Sequence, residues 1–382
     1  MSRFSFSHPV AGFIAVLVGY TSSVAIVFQA ANALGASSAQ ISSWLLALGI
    51  GMGLTCIGLA WHFKTPVLTA WSTPGAALLV TSLDGVSMNE AIGAFIFSSA
   101  LMTVCGVMGW FDKLTRHIPR SLAAAMLGGV LLKFGMDVFI SMQQQLLLVS
   151  VMAVTYFVAK RFFARYAVVL CLLLGLLVAA LQGLIAFVQI KLELAYPVFT
   201  LPAFSLSALV GVGLPLFIVT MASQNVPGLA VLRANGYQTP VSPLITTTGV
   251  TGLLLAPFGG FAFNLAAITA AICMSPDADP DPTRRYRASI WAGAFYVIMG
   301  LFGATVVAIF AALPSALVQA IAGLALLATL GNSVSAALQD ETKRDAALVT
   351  FLVTASGLSL FGVGSAFWGL IFGIGVLRFS ER

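Results

Sequence analysis

Apolar stretches of about twenty residues, the length that crosses the hydrocarbon core of a bilayer, follow one another from end to end of this chain. Little else can be built from such a sequence than a polytopic α-helical membrane protein. Charge usage agrees: only 8% of the 382 residues are charged, against about 25% in a soluble domain that must cover itself with polar surface. No polar stretch is long enough to make a soluble domain, so the whole chain reads as membrane domain.

Fourteen segments can be marked, at 10–34, 38–61, 66–82, 88–109, 120–137, 142–159, 165–189, 206–234, 241–257, 260–275, 286–310, 314–336, 345–361 and 364–378. The first, with Arg3 ahead of it and Ala31-Asn32-Ala33 at its end, imitates a secretory signal, but its apolar run is too long for one. The third and tenth are interrupted near their starts by Pro or Gly, in Pro66-Val-Leu-Thr-Ala-Trp-Ser-Thr-Pro74-Gly75 and Pro257-Phe-Gly259-Gly260-Phe-Ala-Phe-Asn264. Placing the N-terminus in the cytoplasm and alternating sides puts 16 of the 18 Lys and Arg in cytoplasmic loops, leaving out only Lys133 and Lys191. The positive-inside rule therefore favours fourteen spans with both termini cytoplasmic.

The chain also echoes itself. Ile118 to Leu132 aligns without gaps on Leu313 to Leu327, matching Pro119 with Pro314 and Gly128 with Gly323. Gly19 to Gly35 pairs with Thr220 to Gly236, and Pro74-Gly75-Ala76-Ala77 pairs with Asn264-Leu265-Ala266-Ala267. The offsets are 195, 201 and 190 residues, seven segments each. Seven is odd, so the second half runs through the membrane upside down, an inverted-topology repeat of the kind many secondary transporters share.

In such repeats the substrate site lies near the bilayer midplane, where helices break. A broken helix leaves N–H groups unpaired at its start, and these with the helix dipole favour an anion. Segment three offers Ser72, Thr73, Pro74 and Gly75, with Ser or Thr as cap and Pro in the first turn. Segment ten offers Asn264 as the cap. Segments one and eight bring polar clusters to matching depth: Tyr20-Thr21-Ser22-Ser23 and Ser223-Gln224-Asn225. Amides in hydrocarbon need partners. The candidate substrate-binding residues are therefore Tyr20, Ser23, Ser72, Thr73, Pro74, Gly75, Ser223, Gln224, Asn225 and Asn264. Gln29 and Asn32 read as helix-interface groups.

Other chemistry finds no footing. The net charge of +6 sits in short loops rather than on a face for nucleic acid. Cys56, Cys105, Cys171 and Cys273 are scattered inside apolar segments, forming neither a disulfide framework nor a metal cluster. Asp277-Ala-Asp279-Pro-Asp281-Pro, followed by Arg284, Arg285 and Arg287, reads as a stiff cytoplasmic turn and not a metal loop. Lys133 and Asp137 are expected to pair on one face of segment five, Glu90 to favour the start of segment four, and His62 and His117 to be solvated. No nucleotide, hydrolase or metalloprotease motif is present, so no catalytic residue, cofactor or metal is expected.

Pro66-Val-Leu-Thr-Ala-Trp-Ser-Thr-Pro-Gly-Ala-Ala-Leu-Leu79, Val219-Thr-Met-Ala-Ser-Gln-Asn-Val-Pro-Gly228 and Ala267-Ile-Thr-Ala-Ala-Ile-Cys273 resemble the benzoate:proton symporter (BenE) family. So do Phe351-Leu-Val-Thr-Ala-Ser-Gly357 and Gly364-Ser-Ala-Phe-Trp-Gly369. The resemblance covers essentially the whole chain. It implies proton-coupled uptake of benzoate or a similar small aromatic carboxylate across a bacterial inner membrane. It also implies likeness to nucleobase and anion transporters built as seven-plus-seven inverted repeats, in which a core moves against a gate and many members are homodimers through the gate. On that pattern residues 1–137 carry the first core half running into the gate, 120–189 the first gate half, 206–310 the second core half and 314–382 the second gate half. Nucleobase transporters tend to place carboxylates on segments eight and ten, where this chain has Gln224, Asn225 and Asn264. Their absence suits an anionic substrate, which a fixed carboxylate would repel. The rival readings are a passive anion channel with the same positive centre and a transporter of another substrate such as a nucleobase.

Overall fold

The computed structural model describes residues 7–83, 85–111, 119–163, 166–185, 191–361, 363 and 365–380, without the side chains of Ser22 and Ser380. Arg3, Lys113, Arg116, His117, Ile118, Arg165, Gly364 and Arg382, which entered the sequence reading, lie outside the described residues.

Helix dominates. The chain runs α1 (Ser7–Ala33), α2 (Ser38–Phe63), β1 (Thr69–Trp71), α3 (Thr73–Ser82), α4 (Met88–Val107), α5 (Arg120–Ser141), α6 (Leu146–Phe162) and α7 (Ala167–Leu181). An extended stretch over 191–205 leads to α8 (Leu206–Ala234), α9 (Val241–Leu255), β2 (Phe263–Leu265), α10 (Ile268–Met274), α11 (Tyr286–Leu301), α12 (Gly303–Ala312), α13 (Ser315–Leu338), α14 (Arg344–Ala355) and α15 (Ser365–Ser380). By length and composition six of the described helices can cross a membrane, or eight if each of two bent pairs is one span. One such pair is α11 and α12, which meet at 65°.

Helix starts follow local chemistry. Ser37 and Gln40 form a reciprocal capping box ahead of α2, and Ser87 and Glu90 do the same ahead of α4, each satisfying two orphan N–H groups. Glu90 thus sits where the sequence reading put it. Lys133 and Asp137 do not pair: the close ion pairs among the described residues are His8–Asp279, Arg284–Asp281, Lys343–Asp340 and Arg344–Glu341. They stand one turn apart on one face of α5, where the Lys133 charge still acts on the Asp137 carboxylate without a close ion pair. The four cysteines are buried and none is in a disulfide.

Small residues decide which helices touch. A Cβ on Gly49 would lie 2.5 Å from the Gly300 Cα, and one on Gly53 2.7 Å from the Gly293 carbonyl, so α2 and α11 meet backbone to backbone. The α4–α9 contact is made alike, with Gly106 against Thr246 and Gly249 against Thr103. Helices α5 and α13 pack lengthwise against each other, with α14 and α15 beside α5 and α6 and α7 beside α13. The extended stretch over 191–205 laces across the ends of the first group. Ala195 N–H reaches the Leu301 carbonyl, Val198 N–H the Ser43 hydroxyl, Thr200 N–H the Pro257 carbonyl and Ala203 N–H the Asn89 carbonyl.

The two interrupted segments meet. β1 and β2 pair antiparallel, with Ala70 opposite Asn264, Thr69 opposite Leu265 and Trp71 opposite Phe263. Each strand feeds a short helix, and at 1.5 Å per residue neither α3 nor α10 is long enough to cross a bilayer. One expectation fails here. Asn264 does not cap α10: it is the middle residue of β2, and Ala267, which has no side-chain oxygen, precedes the helix.

Candidate functional site

A cavity of about 900 Å³ opens beside the strand pair. Its inner wall comes from α1 (Gly19, Ser23), the β1–α3 junction (Ala70, Trp71, Thr73, Pro74), α8 (Ser223, Gln224), the β2–α10 junction (Ala266 to Thr269) and Tyr296 of α11. Its outer wall comes from α5, α6, α7 and α13, including Arg120, Tyr156, Lys160 and Asn332. Among the described residues that line it, Arg120 and Lys160 are the charged ones, and none is acidic or His.

The β1–α3 junction is largely self-satisfied. Ser72 is fully buried, and its Oγ accepts the Gly75 N–H at 3.0 Å while its carbonyl accepts that of Ala76. Pro74 has no N–H to offer. Ser72 therefore caps the helix and does not reach the cavity, and Gly75 is packed beneath it, where a Cβ would strike Leu216 and Ser72. Thr73 and Pro74 do line the cavity.

The β2–α10 junction is the open one. With Ala267 ahead of the helix, no side chain caps its first turn, and Ala267, Ile268 and Thr269 all line the cavity. Asn264 lies behind this surface, fully buried, its Nδ2 donating to the Ala262 carbonyl at 3.0 Å and its Oδ1 without a partner.

Helix α8 is distorted where it meets the cavity. Val226 N–H bonds the Met221 carbonyl, five residues back, so Met221–Asn225 forms a π-turn. Pro227 supplies the cause: it brings no N–H, so carbonyls one turn back lose their donor and the helix widens. The turn presents Ser223 and Gln224 to the cavity and Asn225 away from it. The Ser223 hydroxyl donates to the Val219 carbonyl. The Gln224 amide makes no side-chain hydrogen bond among the described residues. Asn225, fully buried, accepts the Leu265 N–H at 2.9 Å with Oδ1 and donates from Nδ2 to the Met221 sulfur. It pegs β2 to α8.

On α1, Ser23 lines the cavity but its hydroxyl is occupied, donating to the Gly19 carbonyl and accepting from Trp71 Nε1, both at 2.8 Å. Tyr20 is buried beside Trp71, its ring edge-on at 5.2 Å, and it does not line the cavity. Gln29 reaches the Val318 carbonyl on α13, an interface contact as expected.

Of the ten residues singled out from sequence, Ser23, Thr73, Pro74, Ser223 and Gln224 line the cavity, whereas Tyr20, Ser72, Gly75, Asn225 and Asn264 support it from behind. Sequence reasoning missed Trp71, Tyr296, Arg120 and Lys160. The first lay within the quoted Trp-Ser-Thr-Pro-Gly motif, and the two cations had been read only as topogenic charges.

Residues 2–379 match the family model BenE, described as benzoate membrane transport protein. An inner membrane protein of Escherichia coli, YdcO, is 51% identical over 98% of this chain and 96% of its own length. A benzoate membrane transport protein of Acinetobacter baylyi is 40% identical over 97% of this chain and 94% of its own. Among solved structures, the transmembrane domain of the cyanobacterial bicarbonate transporter BicA superposes with a TM-score of 0.63 at 11% identity, covering 97% of each chain. SLC26A9 superposes with a TM-score of 0.64 at 11% identity over 97% of this chain and 65% of its own. At that identity the likeness is one of fold.

Proposed function

The chain belongs to the benzoate membrane transport family and is a membrane transporter, and from that premise we propose that it is a proton-coupled symporter for benzoate or a similar small aromatic carboxylate. One observation carries the choice of an anion: the cavity is lined by two cations, an uncapped helix start and an unengaged Gln224 amide, with no acidic side chain among its described lining. Each of these favours a carboxylate, and none would be repelled by it. The relative from Acinetobacter baylyi, named for benzoate, points to the same substrate class.

In this reading the carboxylate lies against the α10 start with Gln224, Ser223 and Thr73 around it, while the ring takes the apolar part of the cavity. Tyr20, Ser23, Ser72, Gly75, Asn225 and Asn264 hold that surface in shape. All fourteen segments are read as spans of two inverted halves. Element starts support this: Arg120 of α5 and Ser315 of α13 lie 195 residues apart, Thr69 of β1 and Phe263 of β2 194, and Ala167 of α7 and Ser365 of α15 198. Packing supports it too, since α2 against α11 mirrors α9 against α4. The core comprises α1 to α4 with α8 to α12, and the gate α5 to α7 with α13 to α15. Both termini are cytoplasmic in a bacterial inner membrane, the side to which Arg120 and Lys160 then open the cavity, and the gate faces form a homodimer.

The test is uptake of labelled benzoate into proteoliposomes, with and without an inward proton gradient, against protein-free liposomes that report passive entry of the acid. Accumulation above the protein-free level that follows the gradient is expected. Flux that only equilibrates benzoate would establish the passive channel instead, and a nucleobase carried in its place would sink the carboxylate reading.

A further inference from the structure

Trp71 is the last residue of β1 and stands two positions before the cavity-lining Thr73. Both of its N–H donors are already engaged. Its backbone N–H points to the Met52 sulfur at 3.1 Å, and its indole N–H donates to Ser23 Oγ at 2.8 Å. Ser23 in turn gives its proton to the Gly19 carbonyl. The Tyr20 ring packs edge-on against the indole at 61°. Locked from behind in this way, and only 4% exposed, Trp71 still lines the cavity. What it can present there is aromatic carbon and no donor.

Such a surface recognises a flat ring by stacked or edge-to-face contact, and it gives nothing to a small inorganic anion. The surface is also in the right place. Trp71 adjoins the polar edge formed by Thr73 and Pro74, so an aryl group and a carboxylate joined by one bond can meet both at once. Tyr296, whose hydroxyl bonds Thr269, and Met52 line the same cavity and add aromatic and sulfur surface that suits a ring.

We propose that Trp71 is the residue that selects an aryl carboxylate over aliphatic acids and small anions, and that Ser23 is a positioning residue that fixes the indole and makes no substrate contact. The inference rests on the transport reading above, since it assigns the ring-binding wall of that same cavity. It divides the family motif by role: Trp71 for the ring, Ser72 for the helix cap, Thr73 and Pro74 for the polar edge.

The test compares wild-type protein with Trp71→Phe, Trp71→Leu and Ser23→Ala in proteoliposomes. Labelled benzoate uptake is competed with benzoate, cyclohexanecarboxylate and acetate, and quenching of tryptophan fluorescence by benzoate is followed in detergent. Trp71→Leu is expected to cut the preference for benzoate over cyclohexanecarboxylate by about three- to tenfold, the size of an aromatic pair contact. Trp71→Phe should keep most of that preference while losing most of the fluorescence quench, which also shows that the variant is folded and binding. Ser23→Ala should raise KM for benzoate and leave the acetate constant unchanged, because only the ring wall is loosened. A Trp71→Leu protein with unaltered preference, or a Trp71→Phe protein with an unaltered quench, overturns the assignment. Wild-type protein that binds benzoate with Trp71-dependent quenching but does not transport it overturns the transport reading alone. Absence of both binding and transport overturns both.

Discussion

His8 Nε2 lies 2.7 Å from Asp279 Oδ2, a buried contact that joins the first turn of α1 to the loop after α10 across 271 residues of sequence. The same aspartate accepts the Asp281 N–H through Oδ1. Arg285 reaches the Asp279 carbonyl through Nε and the Met274 carbonyl at the end of α10 through Nη1. The Asp-rich turn is therefore a clamp on the short helix that forms one side of the cavity. Replacing His8 by Ala or Asp279 by Ala leaves the partner buried without its hydrogen bond. Each is expected to lower stability by about 2 kcal/mol, read as a fall in thermal unfolding temperature in detergent. Unchanged melting in both would show that the clamp contributes nothing.

Asn225→Leu should be among the more damaging single changes in α8. It removes the acceptor of the Leu265 N–H and leaves that donor buried, at a cost of about 1–3 kcal/mol. Faster hydrogen exchange at Leu265, with exchange in α5 and α13 unchanged, would place the damage at the strand pair.

Gln224 is expected to behave in the opposite way, affecting function and sparing stability. Its amide faces the cavity and holds no other side chain or backbone group among the described residues. Gln224→Ala should raise KM for benzoate about tenfold, the loss of one hydrogen bond to a charged group, with unaltered melting. Gln224→Glu should be worse still, because it sets a carboxylate beside the substrate's own. Normal benzoate uptake by Gln224→Glu would move the carboxylate elsewhere in the cavity.

The cations of the outer wall should show themselves through salt. Arg120 and Lys160 make no ion pair among the described residues, and Lys160 stands 5.7 Å from the Tyr156 ring centroid. The double variant Arg120→Gln with Lys160→Gln should bind benzoate more weakly at low ionic strength. The difference from wild type should shrink at about 1 M salt, where the Debye length falls to about 3 Å. A deficit independent of salt would mean that the side chains pack rather than attract.

How far the sequence was legible follows from which interactions were local. Apolar run length marked the stretches in which the helices lie, although it read α11 and α12 as one segment, and the Pro-Gly interruption at Thr73 and Pro74 marked a true break, because both signals lie within a few residues. The partnership of Ala70 with Asn264 did not show, since three-residue strands carry no period and the pairing spans 194 positions. The π-turn at Met221–Asn225 had a local sign, Pro227, that was available but unread. Ser23 and Asn225 were both read as substrate-binding groups, Asn225 also as an amide in need of a partner. Which partner each had taken, an indole for one and a backbone N–H for the other, depended on contacts made across the fold.

The β1–β2 ladder has a mechanical consequence. Ala70 and Asn264 belong to segments far apart in the chain, yet they share backbone hydrogen bonds, and Asn225 ties the second strand to α8. Neither short helix can shift along the membrane normal without its counterpart unless those bonds break first. On the core-and-gate reading proposed above, the two halves of the cradle are yoked: a substrate held between them would travel as freight on one carriage, and the sliding surface would be where α1, α3 and α8 rest on α5 and α13.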